Sequence, residues 1–212
     1  MRPLLAVLDY EMSNLRSATK ALELLGAEVR VAGEPGGVEG ADAVVLPGVG
    51  HFGEAMRRIR ARGLDRAIRE ASGEGVPVLG ICLGLQLLFD ESEESPGVTG
   101  LGLLPGPVRR LRTDLKLPHI GWSEVRWAPG APLAPQDGAP GDSTYYFVHA
   151  YACEPEDERM VLGRAAHGVG FCAAAGREGV LGVQFHPEKS SAAGLQLLSN
   201  FSSVCVAVAA AA

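Results

Sequence analysis

The chain has 212 residues, 47% of them hydrophobic and 21% charged, which excludes general disorder and supplies enough apolar mass for a sizeable core. Its 25 acidic and 19 basic residues give a net charge of −6, which excludes a sequence-independent electrostatic grip on nucleic acid or anionic lipid. The apolar run from Leu4 to Leu8 stops at Asp9. It is too short for a signal-peptide core or a membrane span, so a cytoplasmic chain with neither nucleic acid nor membrane as partner is expected.

From that first run onward, apolar stretches alternate with helical periodicity. Leu4 to Leu8 reads as a strand, and Leu15, Ala18, Leu22 and Leu25 then recur at helical spacing until Gly26. Ala27 to Val31 and Ala43 to Leu46 read as further strands. Met56, Ile59, Leu64, Ala67, Ile68 and Ala71 fall on one side of a single long helix. Val76 to Ile81 is a fourth apolar run, followed at once by a helical stretch, Leu83 to Phe89. Strands buried on both faces and separated by helices predict a parallel, doubly wound sheet.

Past about Gly100 the texture changes. The β-rich runs Trp122 to Trp127, Thr144 to Val148, Val161 to Ala166 and Val180 to Phe185 predict an antiparallel or mixed half. Pro129 to Gly141 reads as an exposed loop, Ala192 to Phe201 as the last helix, and Val204 to Ala212 as an Ala-rich tail that frays. One domain over residues 1–201 with a tail at 202–212 is the expected organisation.

The strongest chemical signal is Gly80-Ile81-Cys82-Leu83-Gly84, where a strand meets a helix. In a nucleophile elbow the flanking glycines permit a sharp turn that points the nucleophile into a pocket above the sheet. The positive end of the following helix favours the thiolate, the form that attacks. Five histidines could serve as base, and His186 stands out because it ends a strand in Gln184-Phe185-His186-Pro187-Glu188-Lys189. An extended chain puts His186 and Glu188 on one side, where the carboxylate can fix the imidazole tautomer and stabilise its cation.

Acyl chemistry also needs donors for an oxyanion. The Leu83 amide is one candidate, and Pro47-Gly48-Val49-Gly50 at a neighbouring strand end can supply a second. The same glycines open Gly48-x-Gly50-x-x-Gly53, a dinucleotide-binding pattern. It is the weaker reading, because it follows the third strand and because Asp65 and Glu70 fall inside a helix. The four cysteines, Cys82, Cys153, Cys172 and Cys205, contain no CxxC pair. Neither a metal site nor a cofactor is expected.

Taken together, Pro47-Gly48-Val49-Gly50, Gly80 to Gly84 with Gln86, and Phe185-His186-Pro187-Glu188 resemble the three signatures of class I, triad-type glutamine amidotransferases. Asp9-Tyr10 with Asn14-Leu15-Arg16, Phe89 to Glu94, Pro118 to Trp122, Tyr145 to His149 and His186 to Ser190 narrow the resemblance. They are similar to the branch of that family that serves imidazole glycerol phosphate synthases, and the likeness runs almost to Phe201. It implies a flavodoxin-like α/β fold: a central, mostly parallel sheet flanked by helices, with additional antiparallel strands in the C-terminal half.

The resemblance also implies a glutaminase that passes ammonia to a (β/α)8-barrel cyclase subunit of histidine biosynthesis, as a heterodimer. Cys82 would be nucleophile, His186 base and acid, and Glu188 its orienter. Gly50 and Leu83 would form the oxyanion hole, Gln86 and Glu94 would hold glutamine, and Trp122 and Lys189 would lie near the cyclase. The family usually has glycines where this chain has Glu11 and Ser13, an Asn at Ser123 and a hydroxyl residue at Ala150. His51, His119, His149 and His167 read as structural or interface residues, and Cys153, Cys172 and Cys205 as packing residues. A cysteine peptidase on the same fold and a nucleotide-binding module are the competing readings. Most peptidase-like relatives place their histidine close after the cysteine, whereas His186 comes late. A glycine-flanked amide in Pro47 to Gly50 that rotates into and out of the oxyanion site is the expected gate, biased by the partner.

Overall fold

The computed structural model describes residues 2–12, 14–135 and 143–211, the side chains of the last three excepted. Ser13 and residues 136–141 of the expected loop lie outside the described residues. In chain order the elements are β1 (Leu4–Leu8), α1 (Leu15–Leu24), β2 (Glu28–Ala32), β3 (Ala43–Gly48), α2 (Phe52–Ala61), α3 (Leu64–Gly73), β4 (Val78–Cys82) and α4 (Leu83–Leu87). There follow β5 (Glu91–Ser92), β6 (Pro107–Arg110), β7 (His119–Glu124), β8 (Arg126–Trp127), β9 (Thr144–His149), β10 (Tyr151–Cys153), β11 (Val161–Ala166), β12 (Gly170–Arg177), β13 (Val180–Val183) and α5 (Ser191–Ala211).

Among the described residues an 11-stranded sheet runs β2-β1-β3-β4-β13-β12-β10-β6-β5, with β11 and β8 attached beside β12. The first five strands pair in parallel, and β12 then turns the sheet antiparallel. Every residue of β3, β4 and β13 is buried, as continuous apolar runs covered on both faces should be. Two apolar cores lie on opposite faces: Tyr10, Phe52, Met56, Ile59 and Ile68 belong to one, and Tyr145, Phe147, Phe185, Leu197 and Phe201 to the other. The register pairs Gly48 with Cys82 and Val183 with Ile81, so the carboxyl ends of β3, β4 and β13 finish at one level. That edge is where open α/β sheets bind their ligands.

Several expectations need correction. The single long helix is two, because Gly63 adopts φ 69° and ends α2, leaving the shared apolar side to be continued by α3. The run from Trp122 to Trp127 belongs to two sheets: β7 forms a separate ribbon with β9, while β8 joins β11. Leu133, in the segment expected as an exposed loop, is fully buried, and Asn200 Nδ2 donates to the carbonyl of Ala134 at 2.7 Å. Helix α5 does not stop at Phe201. Cys205, one turn on, is fully buried in the core, and the helix continues to Ala211. Its stretch Ser191–Val208, mean hydropathy 1.3, is long and apolar enough to cross a membrane by length and composition; Leu197, Leu198, Phe201 and Cys205 instead pack into the core against the sheet.

Candidate active site

The elbow is built by close approach rather than by glycine dihedrals. Cys82 itself carries the strain, with φ 55° and ψ −108°, a region that costs a non-glycine residue on the order of 1–3 kcal/mol and persists only where packing holds it. The packing is supplied by the flanking glycines. A Cβ on Gly84 would sit on the Leu46 carbonyl oxygen, and one on Gly80 would lie 2.7 Å from the Gly84 carbonyl. Helix α4 can therefore press onto β3 and β4 only where these residues lack side chains, and the thiol is left at the carboxyl end of β4.

His186 follows β13, the parallel neighbour of β4. Its Nδ1 pairs with Glu188 Oε1 at 2.8 Å, both side chains being buried. Ser190 fixes the segment: its hydroxyl donates to the His186 carbonyl at 2.6 Å and accepts the Tyr146 amide at 2.9 Å. Burial alone would lower the basicity of this imidazole. The hydrogen bonds and charges of Cys82 and Glu188 outweigh it, and the His186 pKa is raised to about 9. Held between a sulfur and a carboxylate, His186 is therefore biased toward its imidazolium form.

The strand Pro47 to Gly50 borders the same site. The hydroxyl of the buried Tyr10 donates to the Pro47 carbonyl at 2.8 Å, and the Val49 amide donates to the Met12 carbonyl at 2.9 Å. Gly50 adopts φ 104°, where a side chain is disfavoured and a Cβ would meet Met12 Cε at 2.9 Å. Leu83 opens α4, so its amide has no acceptor within the helix. Neither Tyr10 nor Met12 was singled out for this contact by the sequence.

A cavity of about 230 Å³ gathers Gly50, Cys82, Leu83, Gln86, Glu94, His149, His186 and Lys189. Of the expected site residues, Glu188 and Trp122 do not line this cavity; Glu188 adjoins it through its bond to His186 Nδ1. Trp122 stands apart on β7, 53% exposed, its ring edge on Tyr146 at 5.9 Å between centroids. Gln86 Nε2 donates to the Tyr151 carbonyl at 3.1 Å and to Gln184 Oε1 at 3.0 Å. Glu94 Oε2 accepts the Phe52 amide at 2.7 Å, and Ser95 Oγ accepts the Gly53 amide at 2.9 Å. Those two amides open α2, where a dinucleotide's pyrophosphate would have to sit. A carboxylate and a hydroxyl already occupy them, which removes the physical basis of the dinucleotide reading.

The remaining thiols and imidazoles are differently placed. Burial pushes the Cys172 and Cys205 thiols up to about 12. His149 Nδ1 meets the Tyr151 carbonyl at 2.8 Å, His149 Nε2 meets His119 Nδ1 at 3.2 Å, and His119 Nε2 meets Ser123 Oγ at 3.0 Å. Since a carbonyl only accepts, His149 donates from Nδ1 and accepts at Nε2, and His119 then donates from Nδ1 and accepts from Ser123. Among the described residues no group of three or more His, Cys, Asp or Glu is placed to hold a metal ion.

With this geometry in place, comparison with known proteins is informative. The model of the family described as glutamine amidotransferase class-I matches residues 6–204. The chain is 50% identical over 202 residues to the imidazole glycerol phosphate synthase subunit HisH of Moorella thermoacetica, covering 95% of this chain and 94% of that one. It is 47% identical to the subunit of the same name from Synechococcus sp. (strain JA-3-3Ab), covering 93% and 92%. Among solved structures it resembles PurLQS from Thermotoga maritima, with TM-score 0.77 at 21% identity over 96% of this chain and 99% of that one. A structure described as a glutamine amidotransferase gives TM-score 0.74 at 22% identity over 95% and 98%. At such identities the solved structures speak to the fold alone.

Proposed function

The chain belongs to the class-I glutamine amidotransferase family, and from that premise we propose that Cys82, His186 and Glu188 are its catalytic triad. Its function is that of the glutaminase subunit of an imidazole glycerol phosphate synthase, hydrolysing glutamine to glutamate and ammonia for use by a cyclase partner. The single observation that carries the residue assignment is the buried arrangement of a strained Cys82 at the end of β4 beside a His186–Glu188 pair 2.8 Å apart.

In this reading the Cys82 thiolate attacks the side-chain amide carbon of glutamine, and the carbonyl oxygen becomes an oxyanion. His186, an imidazolium at rest, gives its proton to the departing nitrogen as the C–N bond breaks, so ammonia leaves and a glutamyl thioester remains. The now neutral imidazole takes a proton from water, whose oxygen attacks the thioester, and glutamate departs as the sulfur is released. Glu188 holds the imidazole through Nδ1 and stabilises its cation without itself taking the proton.

Leu83 and Gly50 supply the amides for the oxyanion. The Val49 amide of the same strand is engaged by Met12, and in this reading a peptide within Pro47 to Gly50 turns to complete the oxyanion site. A missing donor costs roughly 3–4 kcal/mol, or about a hundredfold to a thousandfold in rate. Gln86 spends its Nε2 inside the protein, which leaves its Oε1 to accept from the substrate, and Glu94 offers a carboxylate at the same cavity. The partner is a (β/α)8-barrel cyclase joined as a cytoplasmic heterodimer against the face that carries Trp122 and Lys189, and the expected domain of residues 1–201 extends at least to Cys205, which packs into its core.

The test is the steady-state rate of ammonia release from glutamine by the chain alone, with the cyclase, and with the cyclase plus an analogue of its substrate. The gate requires the rates to rise across the three. Equal rates would remove the gate, and absence of a complex by sedimentation would remove the partner assignment.

A further inference from the structure

We propose that Gln184 is a catalytic residue of this site, its side-chain amide donating a hydrogen bond to the Cys82 sulfur and so stabilising the thiolate that attacks glutamine. The inference rests on the reading of Cys82 as nucleophile.

Gln184 follows β13 directly and is fully buried. Its Nε2 lies 3.8 Å from Cys82 Sγ, within range of a hydrogen bond to sulfur. Which end of the carboxamide faces the sulfur is fixed by its neighbours. The Tyr151 carbonyl can only accept, and it receives Gln86 Nε2 at 3.1 Å. The second hydrogen of that nitrogen goes to Gln184 Oε1 at 3.0 Å. With its oxygen committed, Gln184 turns its NH₂ group toward Cys82. In the thiol form Cys82 Sγ faces the Val148 carbonyl 3.9 Å away, and once that hydrogen is lost Gln184 Nε2 remains as a side-chain donor to the sulfur.

The other polar groups around the sulfur do not supply this donor. His186 exchanges the reacting proton and cannot remain a donor through the cycle. His149, from β9, has both ring nitrogens committed to Tyr151 and His119. Glu188, beyond β13, and Glu94, at the cavity, bear carboxylates. Tyr10, whose hydroxyl is spent on Pro47, and the buried thiol of Cys153 on β10 raise the negative potential at Cys82 if they ionise. Lys189 lines the same cavity. Gln184 is the neutral donor that persists while His186 gives up and regains its proton.

The experiment uses the complex with the cyclase and the variants Gln184→Met, which keeps the side-chain length without a donor, and Gln184→Glu, which keeps the shape but places an acceptor at the sulfur. Alkylation of Cys82 by iodoacetamide is followed by peptide mass spectrometry from about pH 6 to about pH 10, together with kcat and KM for glutamine. Gln184→Met should slow alkylation at neutral pH and lower kcat, each by about tenfold, and KM should rise as well because Gln86 Nε2 loses its Gln184 acceptor. The alkylation deficit should close at high pH, where the thiolate forms without help. Gln184→Glu should lose more than Gln184→Met in both readouts. Wild-type alkylation and kcat in both variants would overturn the proposal, as would an alkylation deficit that is the same at every pH, which is the signature of a structural role. If Cys82→Ala still hydrolyses glutamine, the nucleophile assignment fails instead, and the two failures are told apart by that control.

Discussion

Two sets of buried histidines sit within one molecule and have been driven in opposite directions. His186, His119 and His149 are 3%, 3% and 6% exposed, so burial alone should lower the basicity of all three. It does so for His119 and His149. Burial, with the neighbouring imidazole of His167, takes His119 to about 4, and burial outweighs the helpful Tyr151 carbonyl to take His149 to about 3. His186 faces a thiol and a carboxylate and is raised to about 9. The partner, rather than the depth, decides whether a buried imidazole stores a proton or refuses one, and only the first kind can drive acyl transfer.

The comparison breaks most visibly at His186, the proposed base. His186→Ala should lower glutamine turnover by about 10⁴-fold or more, while Glu188→Gln should be roughly a hundredfold less damaging, because in the proposed triad the carboxylate orients and stabilises but does not transfer the proton. Steady-state rates with folding checked by circular dichroism decide this. Comparable losses would deny the two residues separate roles, and a fully active Glu188→Gln would remove the third member of the triad.

The neutral set should answer in stability instead. His149→Phe strips the Tyr151 carbonyl of one donor and leaves His119 Nδ1 without its acceptor, which should cost about 1–3 kcal/mol in urea unfolding while turnover stays within about tenfold of wild type. A catalytic collapse with unchanged stability would place His149 in the reaction.

The pH dependence of unfolding sharpens the same contrast. His119 and His149 have folded pKa values below the ordinary 6.5, so their contribution is complete above that pH and is lost as pH falls toward about 4 and 3. His186 has a folded pKa above it, so its contribution is complete below pH 6.5 and is lost as pH rises through about 9. His149→Phe should therefore flatten the acid limb of the stability profile, and His186→Ala the alkaline limb. Failure of either to change its own limb would refute the assigned protonation states.

The smallest effect is expected at Glu11. Its φ of 63° is strained for a residue with a side chain, yet its carboxylate pairs with Arg62 at 2.7 Å and Arg58 at 3.3 Å. Exposed pairs of this kind are worth about 0–1 kcal/mol and the strain costs about as much. Glu11→Gly should shift stability by less than about 1 kcal/mol, read by denaturant titration.

Much of the charged site was legible in the sequence because its members are local: a glycine-flanked cysteine at a strand end, and a histidine two residues from a glutamate. The parts that escaped are distant or compositionally quiet. Gln184 meets Cys82 across 102 positions of chain, and Met12 reaches Val49 only through its carbonyl. The central strand β12 reads Gly-Phe-Cys-Ala-Ala-Ala-Gly-Arg, small residues of low strand propensity, and its identity comes from pairing with strands on either side. At Gly63 the helical periodicity carries straight across a break, so periodicity alone joined two helices. The last turns of α5 looked like a fraying tail because alanines dominate them, while the buried Cys205 and the partly buried Val204 keep that region against the core.

The central claim is that glutamine is opened by Cys82 through a thioester. Acid-quenching the enzyme–cyclase complex during turnover, then mapping its peptides by mass spectrometry, tests it most directly. The account predicts a glutamyl adduct on the peptide that contains Cys82, absent without glutamine and absent in Cys82→Ala, which should also have lost ammonia release while retaining the wild-type fold. An adduct on another residue, or undiminished ammonia release from Cys82→Ala, would contradict it.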